Sequence, residues 1–147
     1  MQAIGNGRHV ETNGNTWVWE QKEPMPSYLF TVCVGTFDIY SEPNTPIPVR
    51  YLAPTGVDDP TFQRIFGKTP AMIAFFEQRY GYPYAWPRYD QVVVHDFIFG
   101  GMENVAATTL TDLVITDERA ALDWDAESLI AHELAHQWFG NLMTCRG

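Results

Sequence analysis

Apolar residues along the chain follow two periodicities, and the first of them predicts β-strands. Residues 16–20 (TWVWE) alternate between polar and apolar positions, as a half-buried strand does. The β-branched and aromatic run at residues 28–39 predicts one long extended segment with a bulge at Gly35. Residues 1–15, rich in glycine and asparagine, predict an irregular lead-in. Shorter β-prone segments cover residues 49–52, 91–97 and 108–116.

The second periodicity is helical and covers three segments. The first opens at Asp59 and is interrupted at Gly67. The second has Thr69 as its predicted N-cap, before a proline, and ends at Gly81. The third is predicted over residues 125–139, with Asp125 capping its start. One face of the second helix carries an apolar stripe typical of a core: Met72, Ile73, Phe76 and Tyr80.

Composition narrows the class of protein. The chain has 147 residues, 46% hydrophobic and 18% charged, which predicts a folded domain rather than disorder. The net charge of −9 argues against a nucleic-acid partner and against an anionic membrane surface. No apolar run approaches the ~20 residues of a membrane helix, and the N-terminus lacks the pattern of a secretory signal. Cys33 and Cys145 are predicted to be unpaired thiols.

The third helix carries the strongest chemical signal, the pattern H-E-x-x-H. His132 and His136 are four positions apart, so a helix places both imidazoles on one face, where they can reach a single zinc ion. Glu133 lies beside them and can accept a proton from water activated by the metal. Apolar residues surround most of the helix and predict that it is buried. The alternative is a pair of core histidines satisfied by protein groups.

A second motif, residues 100–104 (GGMEN), follows the predicted strand at 91–97. Two adjacent glycines let another backbone approach closely. Glu103 beside an open strand edge can pair with the terminal ammonium of a peptide, while the edge binds its main chain. Alone, this signal is also typical of an ordinary glycine turn with an exposed glutamate.

Together, residues 100–104 and 132–142 (HELAHQWFGNL) resemble peptidase family M1, the zinc aminopeptidases of the gluzincin class. Residues 26–29 and 75–83 add to the resemblance. It implies an α+β fold: the N-terminal lobe of a thermolysin-like catalytic domain, with a mixed sheet, packed helices and the zinc helix.

The resemblance also implies roles. His132 and His136 would bind zinc and Glu133 would be the general base. Glu103 would hold the substrate's amino group, and the backbone of Gly100, Gly101 and Met102 would contact a peptide substrate. Most members carry alanine where this chain has Gly101; glycine also occurs in the leukotriene A4 hydrolase branch, although residues 105–111 do not resemble that branch.

The family's third zinc ligand and its transition-state tyrosine lie further along than this sequence extends. We therefore expect a fragment: residues 1–23 as a lead-in or the tail of a preceding β-domain, and residues 24–147 as a partial catalytic domain. Such a fragment is expected to bind zinc weakly, to have little activity, and to self-associate through the face that truncation exposes. The alternatives are a non-catalytic binding module and an epoxide hydrolase. The absence of a signal peptide or transmembrane segment from these residues favours the cytoplasm, but the compartment of the parent protein stays open.

Overall fold

The computed structural model describes residues 1–144 and is a mixed α+β structure. Its helices are α1 (Asp59–Phe66), α2 (Thr69–Tyr80) and α3 (Glu127–His136). Single 3-10 turns lie at Ser27–Leu29, Asp112–Val114 and Ala120–Leu122. The strands are β1 (Gln2–Gly5), β2 (Arg8–Asn13), β3 (Thr16–Glu20), β4 (Val32–Gly35), β5 (Phe37–Ser41), β6 (Val49–Pro54), β7 (Tyr89–Val94), β8 (Gly101–Met102) and β9 (Ala107–Thr111). Cys145 lies outside the described residues.

A five-stranded sheet in the order β5-β6-β7-β9-β8 organises the fold. The pairs β6–β7 and β7–β9 are parallel, whereas β5–β6 and β8–β9 are antiparallel, so the sheet is mixed as expected. Helices α1 and α2 connect the parallel strands β6 and β7. Strands β7 and β9 are buried almost throughout, which is typical of parallel strands covered on both faces. The short strand β8 forms one edge of this sheet.

The core is divided between the two faces of the sheet. The larger cluster packs α1, α2 and α3 against one face, with Phe66, Ile73 and Leu134 among its members. The smaller cluster joins the other face to β1 and β4 through residues such as Ile4 and Val92. The predicted stripe on α2 is confirmed, since Ile73 is buried and the rest of the stripe packs against the larger cluster.

The N-terminal segment differs from its prediction. Residues 1–15 are not irregular: β1 pairs with β4, and β2 forms a hairpin with β3. Gly7 and Gly14 lie at turns with φ of 70° and 59°, the left-handed region that glycine adopts without strain. The glycines therefore mark the ends of short strands. The partner of β1 is distant in sequence, so no local pattern indicates this pairing.

The predicted single strand at residues 28–39 is also wrong. A 3-10 turn occupies Ser27–Leu29, and the remainder forms β4 and β5, which belong to different sheets. The break falls immediately after Gly35, where a side chain would meet the ring of Phe37 at 3.0 Å. A continuous β-prone run thus changes sheets at a residue that has no side chain.

Of the two predicted ends of α2, the C-terminal one is confirmed and the N-terminal one is wrong. Gly81 ends the helix with φ of 66°, as predicted. Thr69 is not the N-cap: Lys68 takes that position with helical backbone angles, and Thr69 is the first helical residue. The Thr69 hydroxyl instead accepts a hydrogen bond of 2.8 Å from the buried side chain of Gln91 on β7. A tertiary contact therefore uses the oxygen that the cap would have needed. No helix within residues 1–144 has the length and hydropathy required to cross a membrane.

A buried ion-pair network fixes the N-terminal strand to the sheet. Asp90 on β7 is fully buried. Its carboxylate accepts hydrogen bonds of 2.9 and 2.5 Å from Arg50 and forms an ion pair with Arg88. The Arg88 guanidinium is buried too, and burial lowers its pKa while the charge of Asp90 opposes that effect. It also donates to the carbonyl oxygens of Gly5, the last residue of β1, and of Gly7, in the turn that follows. Arg88 therefore connects chain segments more than 80 residues apart.

We predict that Arg88→Met lowers the free energy of unfolding by about 3 to 5 kcal/mol, because it leaves the buried Asp90 carboxylate with Arg50 as its one cationic partner and the carbonyl groups of Gly5 and Gly7 without this donor. Urea denaturation measures this loss. Arg8→Met is the matched control, since Arg8 pairs with Glu20 on the exposed hairpin and its loss should have little effect. Equal losses in the two variants would contradict the role assigned to the buried network.

Candidate active site

Helix α3 is three residues shorter at its C-terminal end than the sequence predicts. Asp125 is not the N-cap as predicted: Ala126 takes that position without a side-chain cap, and the Asp125 carboxylate, one residue earlier, accepts a hydrogen bond of 2.9 Å from the backbone N–H of Glu127. The helix ends at His136. Beyond it the chain turns back, with φ of 124° at Gly140 and a bond of 3.1 Å from the Asn141 N–H to the His136 carbonyl. The turn places the residues after the helix around His136.

The burial of α3 also differs from its prediction. Ile130 and Leu134 are buried against the core, as is Trp138 just after the helix. His132 is exposed and His136 is half-buried, so the prediction of a helix buried nearly all round is wrong. The core covers one face of α3 and leaves the histidine face open within residues 1–144. The two histidines are therefore not buried in the core.

The two imidazoles meet at their Nε2 atoms. These nitrogens are 3.1 Å apart, and the ring planes are 82° to each other. The Nδ1 atom of His136 lies 2.9 Å from the carbonyl oxygen of Phe139. A carbonyl only accepts, so Nδ1–H is the donor and the neutral ring carries its lone pair on Nε2. The turn after α3 thus fixes the tautomer and points a nitrogen ligand at His132.

This donor pair fits a zinc ion. Two nitrogen ligands of a tetrahedral zinc, each about 2.0–2.1 Å from the metal, lie about 3.3 Å apart. The observed 3.1 Å separation is close to that value, and neutral imidazole is a preferred zinc ligand. Within residues 1–144, no set of three histidine, cysteine, aspartate or glutamate side chains is arranged to hold a metal.

Glu133 lies on the strand side of α3 and is only 4% exposed. The pKa of its carboxyl group is raised to about 7, first by burial and then by the charge of Glu103, while His136 acts in the opposite direction. A carboxyl group with a pKa near neutrality can both accept and release a proton at physiological pH. Its environment therefore suits proton transfer.

Strand β8 brings the second motif to the same place. Gly101 and Met102 form this edge strand and pair with Leu110 and Thr109 of β9. Glu103 follows directly, half-buried, and is close enough to Glu133 to affect its pKa. Gly100 is exposed just before the strand. The structure thus assembles all seven residues that the sequence singles out: the histidines and Glu133 from α3, and residues 100–103 from the sheet edge.

Two residues that the sequence analysis did not single out hold these parts together. Gln137 donates to the carbonyl oxygens of Glu103 and Asn104, at 3.1 and 3.4 Å, and accepts at 3.2 Å from the N–H of Ala106. Asn141 donates to the Glu103 carbonyl at 2.7 Å. We call the side chains of Gln137 and Asn141 the helix–strand clamp. The signal in the sequence for this role is an uncharged amide side chain among apolar residues, because a buried amide requires hydrogen-bond partners.

Asn104 extends the connection away from the helix. Its side chain accepts a hydrogen bond of 2.9 Å from the hydroxyl of Thr109 on β9 and donates at 3.3 Å to the carbonyl of Leu29. Asn6, on the N-terminal turn, donates to the same carbonyl. Asn104, the last residue of the second motif, is therefore a buried structural residue, whereas Glu103 beside it is half-buried and close enough to Glu133 to affect its pKa.

A helix with paired histidines and an intervening buried glutamate, placed beside a sheet edge, is typical of the H-E-x-x-H metallopeptidases. Residues 65–147 match the model of the peptidase family M1 domain, more than half of the chain. The chain belongs to peptidase family M1. Membership implies zinc at the level of the family.

The relatives include aminopeptidases and an LTA4 hydrolase. The mitochondrial aminopeptidase 2 of Saccharomyces cerevisiae is 37% identical over 140 residues, which cover 92% of this chain and 15% of that protein. Leucine aminopeptidase 2-1 of Meyerozyma guilliermondii is 35% identical, with 97% of this chain and 22% of that protein covered. The solved structure of yeast LTA4 hydrolase superposes with a TM-score of 0.77 at 30% identity, covering 97% of this chain and 22% of that one. The chain spans about a fifth of the length of these relatives.

We predict that Gln137→Ala lowers the free energy of unfolding by about 1 to 3 kcal/mol and speeds hydrogen exchange at the Ala106 amide, because that N–H loses its acceptor. NMR-detected exchange measures both effects. Gln78→Ala, on the exposed face of α2, is the matched control and should change neither. Unchanged exchange at Ala106 in the Gln137 variant would show that the helix–strand clamp does not couple the two segments.

Proposed function

We propose that this chain carries the general base, two zinc ligands and the amino-group anchor of an aminopeptidase that removes N-terminal residues from peptides. The observation that carries the proposal is the 3.1 Å approach of the His132 and His136 Nε2 atoms beside a buried glutamate and an open strand edge. The activity of the whole protein is part of the proposal, because the chain spans only 15 to 22% of these relatives.

The metal would be held by His132 and His136 through Nε2. The hydrogen bond from His136 Nδ1 to Phe139 fixes the tautomer that this requires. When bound, zinc supplies Lewis acidity, which lowers the pKa of water and polarises a carbonyl group.

Glu133 would act as the base. Its carboxylate takes a proton from the attacking water and delivers it to the nitrogen of the leaving amine, so the same group acts first as base and then as acid. The low exposure of Glu133 supports this role, because burial raises its pKa toward neutrality and keeps bulk water away. The helix–strand clamp fixes its helix relative to the bound substrate.

Glu103 and strand β8 would bind the substrate. Within residues 1–144, β8 has a partner only on its β9 side, so its outer edge is open to an extended peptide. The backbone of Gly100, Gly101 and Met102 would pair with that peptide. Glu103 at the end of the strand would pair with its terminal ammonium, which limits cleavage to the first residue.

Two other functions fit less well. A non-catalytic module does not need a buried glutamate beside two imidazoles, since burial of a carboxylate costs free energy. Epoxide hydrolysis finds support only in the likeness to yeast LTA4 hydrolase. The curated relatives described above are named for aminopeptidase activity, which favours peptide hydrolysis.

We predict that the chain binds Zn²⁺ and that His132→Ala and His136→Ala each weaken binding by at least tenfold, because each variant removes a nitrogen ligand. Isothermal titration calorimetry at neutral pH measures the affinity. His9→Ala is the matched control: His9 is exposed on the β2–β3 hairpin and bonds to Thr12. A similar loss in all three variants would indicate nonspecific binding to histidine.

We predict that Glu133→Gln abolishes peptide hydrolysis by the full-length gene product but leaves zinc binding intact, because the amide cannot accept the proton. Glu103→Gln should raise KM for peptides with a free amino terminus, since it removes the partner of the ammonium. Steady-state kinetics on an aminoacyl-anilide and on its N-acetylated form tests both changes. Activity retained in the Glu133 variant, or equal cleavage of the acetylated substrate, would contradict the proposed function.

A further inference from the structure

Gly140 lies in the turn that follows α3, and this turn is closed by its own hydrogen bonds. The Gly140 N–H donates to the Met143 carbonyl at 2.9 Å, and the Met143 N–H donates to the Trp138 carbonyl at 2.9 Å. The φ of 124° at Gly140 lies in the region that glycine adopts without strain and that other residues rarely adopt. The backbone of the turn therefore favours glycine at this position.

The turn also brings Gly140 against the ring of His136. A Cβ atom added at Gly140 would lie 3.2 Å from Nδ1 and 3.9 Å from Cγ of that ring. The first distance is shorter than the about 3.5–4.0 Å that is optimal for carbon contacts. Nδ1 is the same atom that donates to the Phe139 carbonyl at 2.9 Å. The missing side chain of Gly140 thus leaves room beside the nitrogen that must form this hydrogen bond.

The His136 ring can yield to a methyl group at position 140, but its movement has a consequence. Nδ1 and Nε2 belong to one rigid ring, so a rotation that moves Nδ1 also moves Nε2, which lies 3.1 Å from Nε2 of His132. If the turn opens instead, the Phe139 carbonyl moves away from Nδ1 and the lone pair is no longer held on Nε2. Either response weakens both the bond to Phe139 and the pair of nitrogen ligands.

We propose that Gly140 is a positioning residue for the zinc ligand His136. Its positive φ turns the chain so that the Phe139 carbonyl reaches Nδ1, and its missing side chain leaves the ring where Nε2 meets that of His132. The inference rests on the proposed function in one respect, that His136 binds zinc. The contact between Gly140 and the ring does not depend on that role.

Gly56 provides a matched control. Its φ is 109°, also in the region that favours glycine, but a Cβ atom added there would meet no atom of residues 1–144 within 4 Å apart from its chain neighbours. It is exposed and lies between β6 and α1. Gly56→Ala therefore adds backbone strain without a contact to His136.

The first measurement is the Zn²⁺ affinity of the 147-residue chain, by isothermal titration calorimetry at neutral pH. Gly140→Ala should weaken binding by about fivefold or more, because it displaces one of the two nitrogen ligands. Gly56→Ala should change the affinity by less than about twofold, although backbone strain lowers Tm in both variants. An affinity of Gly140→Ala equal to that of the wild type, or equal losses in the two glycine variants, would overturn the inference.

A spectroscopic measurement separates positioning from loss of stability. Two-bond ¹H–¹⁵N correlation spectra of the metal-free chain, at a pH where the imidazoles are neutral, show which ring nitrogen carries the proton. The His136 signals are assigned by their absence from His136→Ala. His136 should be protonated at Nδ1 in the wild type and in Gly56→Ala, and should shift toward the Nε2–H form in Gly140→Ala. A wild-type ring protonated at Nε2, or an unchanged tautomer in Gly140→Ala, would count against the inference.

If Gly140→Ala does not fold, the double variant Gly140→Ala/His136→Ala decides, because it lacks the ring. Folding of the double variant attributes the loss to contact with the ring and supports the inference. Failure of both variants shows that the fold itself needs the turn, which overturns the positioning role.

Failure of the proposed function is distinguishable. If the wild type binds zinc no better than His136→Ala, the ligand assignment fails, and the inference fails with it. If Glu133→Gln keeps its activity while Gly140→Ala loses zinc affinity and changes tautomer, the proposed base is wrong and the role of Gly140 stands. An unchanged affinity and tautomer in Gly140→Ala sink the Gly140 inference alone.

Discussion

The backbone N–H and carbonyl groups of Ala106 join the two sets of interactions on which the site depends: the buried ion-pair network around Asp90 and the helix–strand clamp. The carbonyl of Ala106 accepts from Arg88 at 3.1 Å and from the backbone of Asp90 at 3.0 Å, and its N–H donates to Gln137. Ala106 is fully buried with φ of 61°, a left-handed conformation that costs about 1–3 kcal/mol in a residue other than glycine. Such a conformation persists only where the surroundings over-determine it. Here the buried ion-pair network acts from one side and the helix–strand clamp from the other.

This connection explains how an edge strand of two residues can serve as part of a precise site. Strand β8 is too short to be stable by itself, since its pairing with β9 involves only Gly101 and Met102. The parallel strands behind it are buried on both faces and provide a rigid support. The clamp then fixes the segment after β8 to the end of α3. The distance between the proposed base and the proposed amino-group anchor is therefore set by hydrogen bonds to backbone carbonyls.

Negative charge is concentrated where α3 meets the end of strand β8. Burial disfavours the charged form of Glu133, and the nearby charge of Glu103 adds to that cost. A divalent ion held by the adjacent histidines, as proposed, would lower the free energy of both carboxylates. The same folded state would then be stabilised by the ion that the chemistry requires. The buried charge of Asp90 is instead neutralised by two arginines, so it requires no ligand.

The amino-acid sequence by itself determined the local features of this protein. Helical spacing placed His132, Glu133 and His136 on one helix, and Gly81 marked the end of α2, because both depend on neighbours within a few residues. The mixed α+β class and the family also followed from patterns along the chain. Tertiary structure decided the rest. The pairing of β1 with β4, the division of residues 28–39 between two sheets and the early end of α3 all depend on contacts with distant segments. The open histidine face and the role of Gln137 were likewise set by packing of α3 against the sheet, which a one-dimensional pattern does not contain.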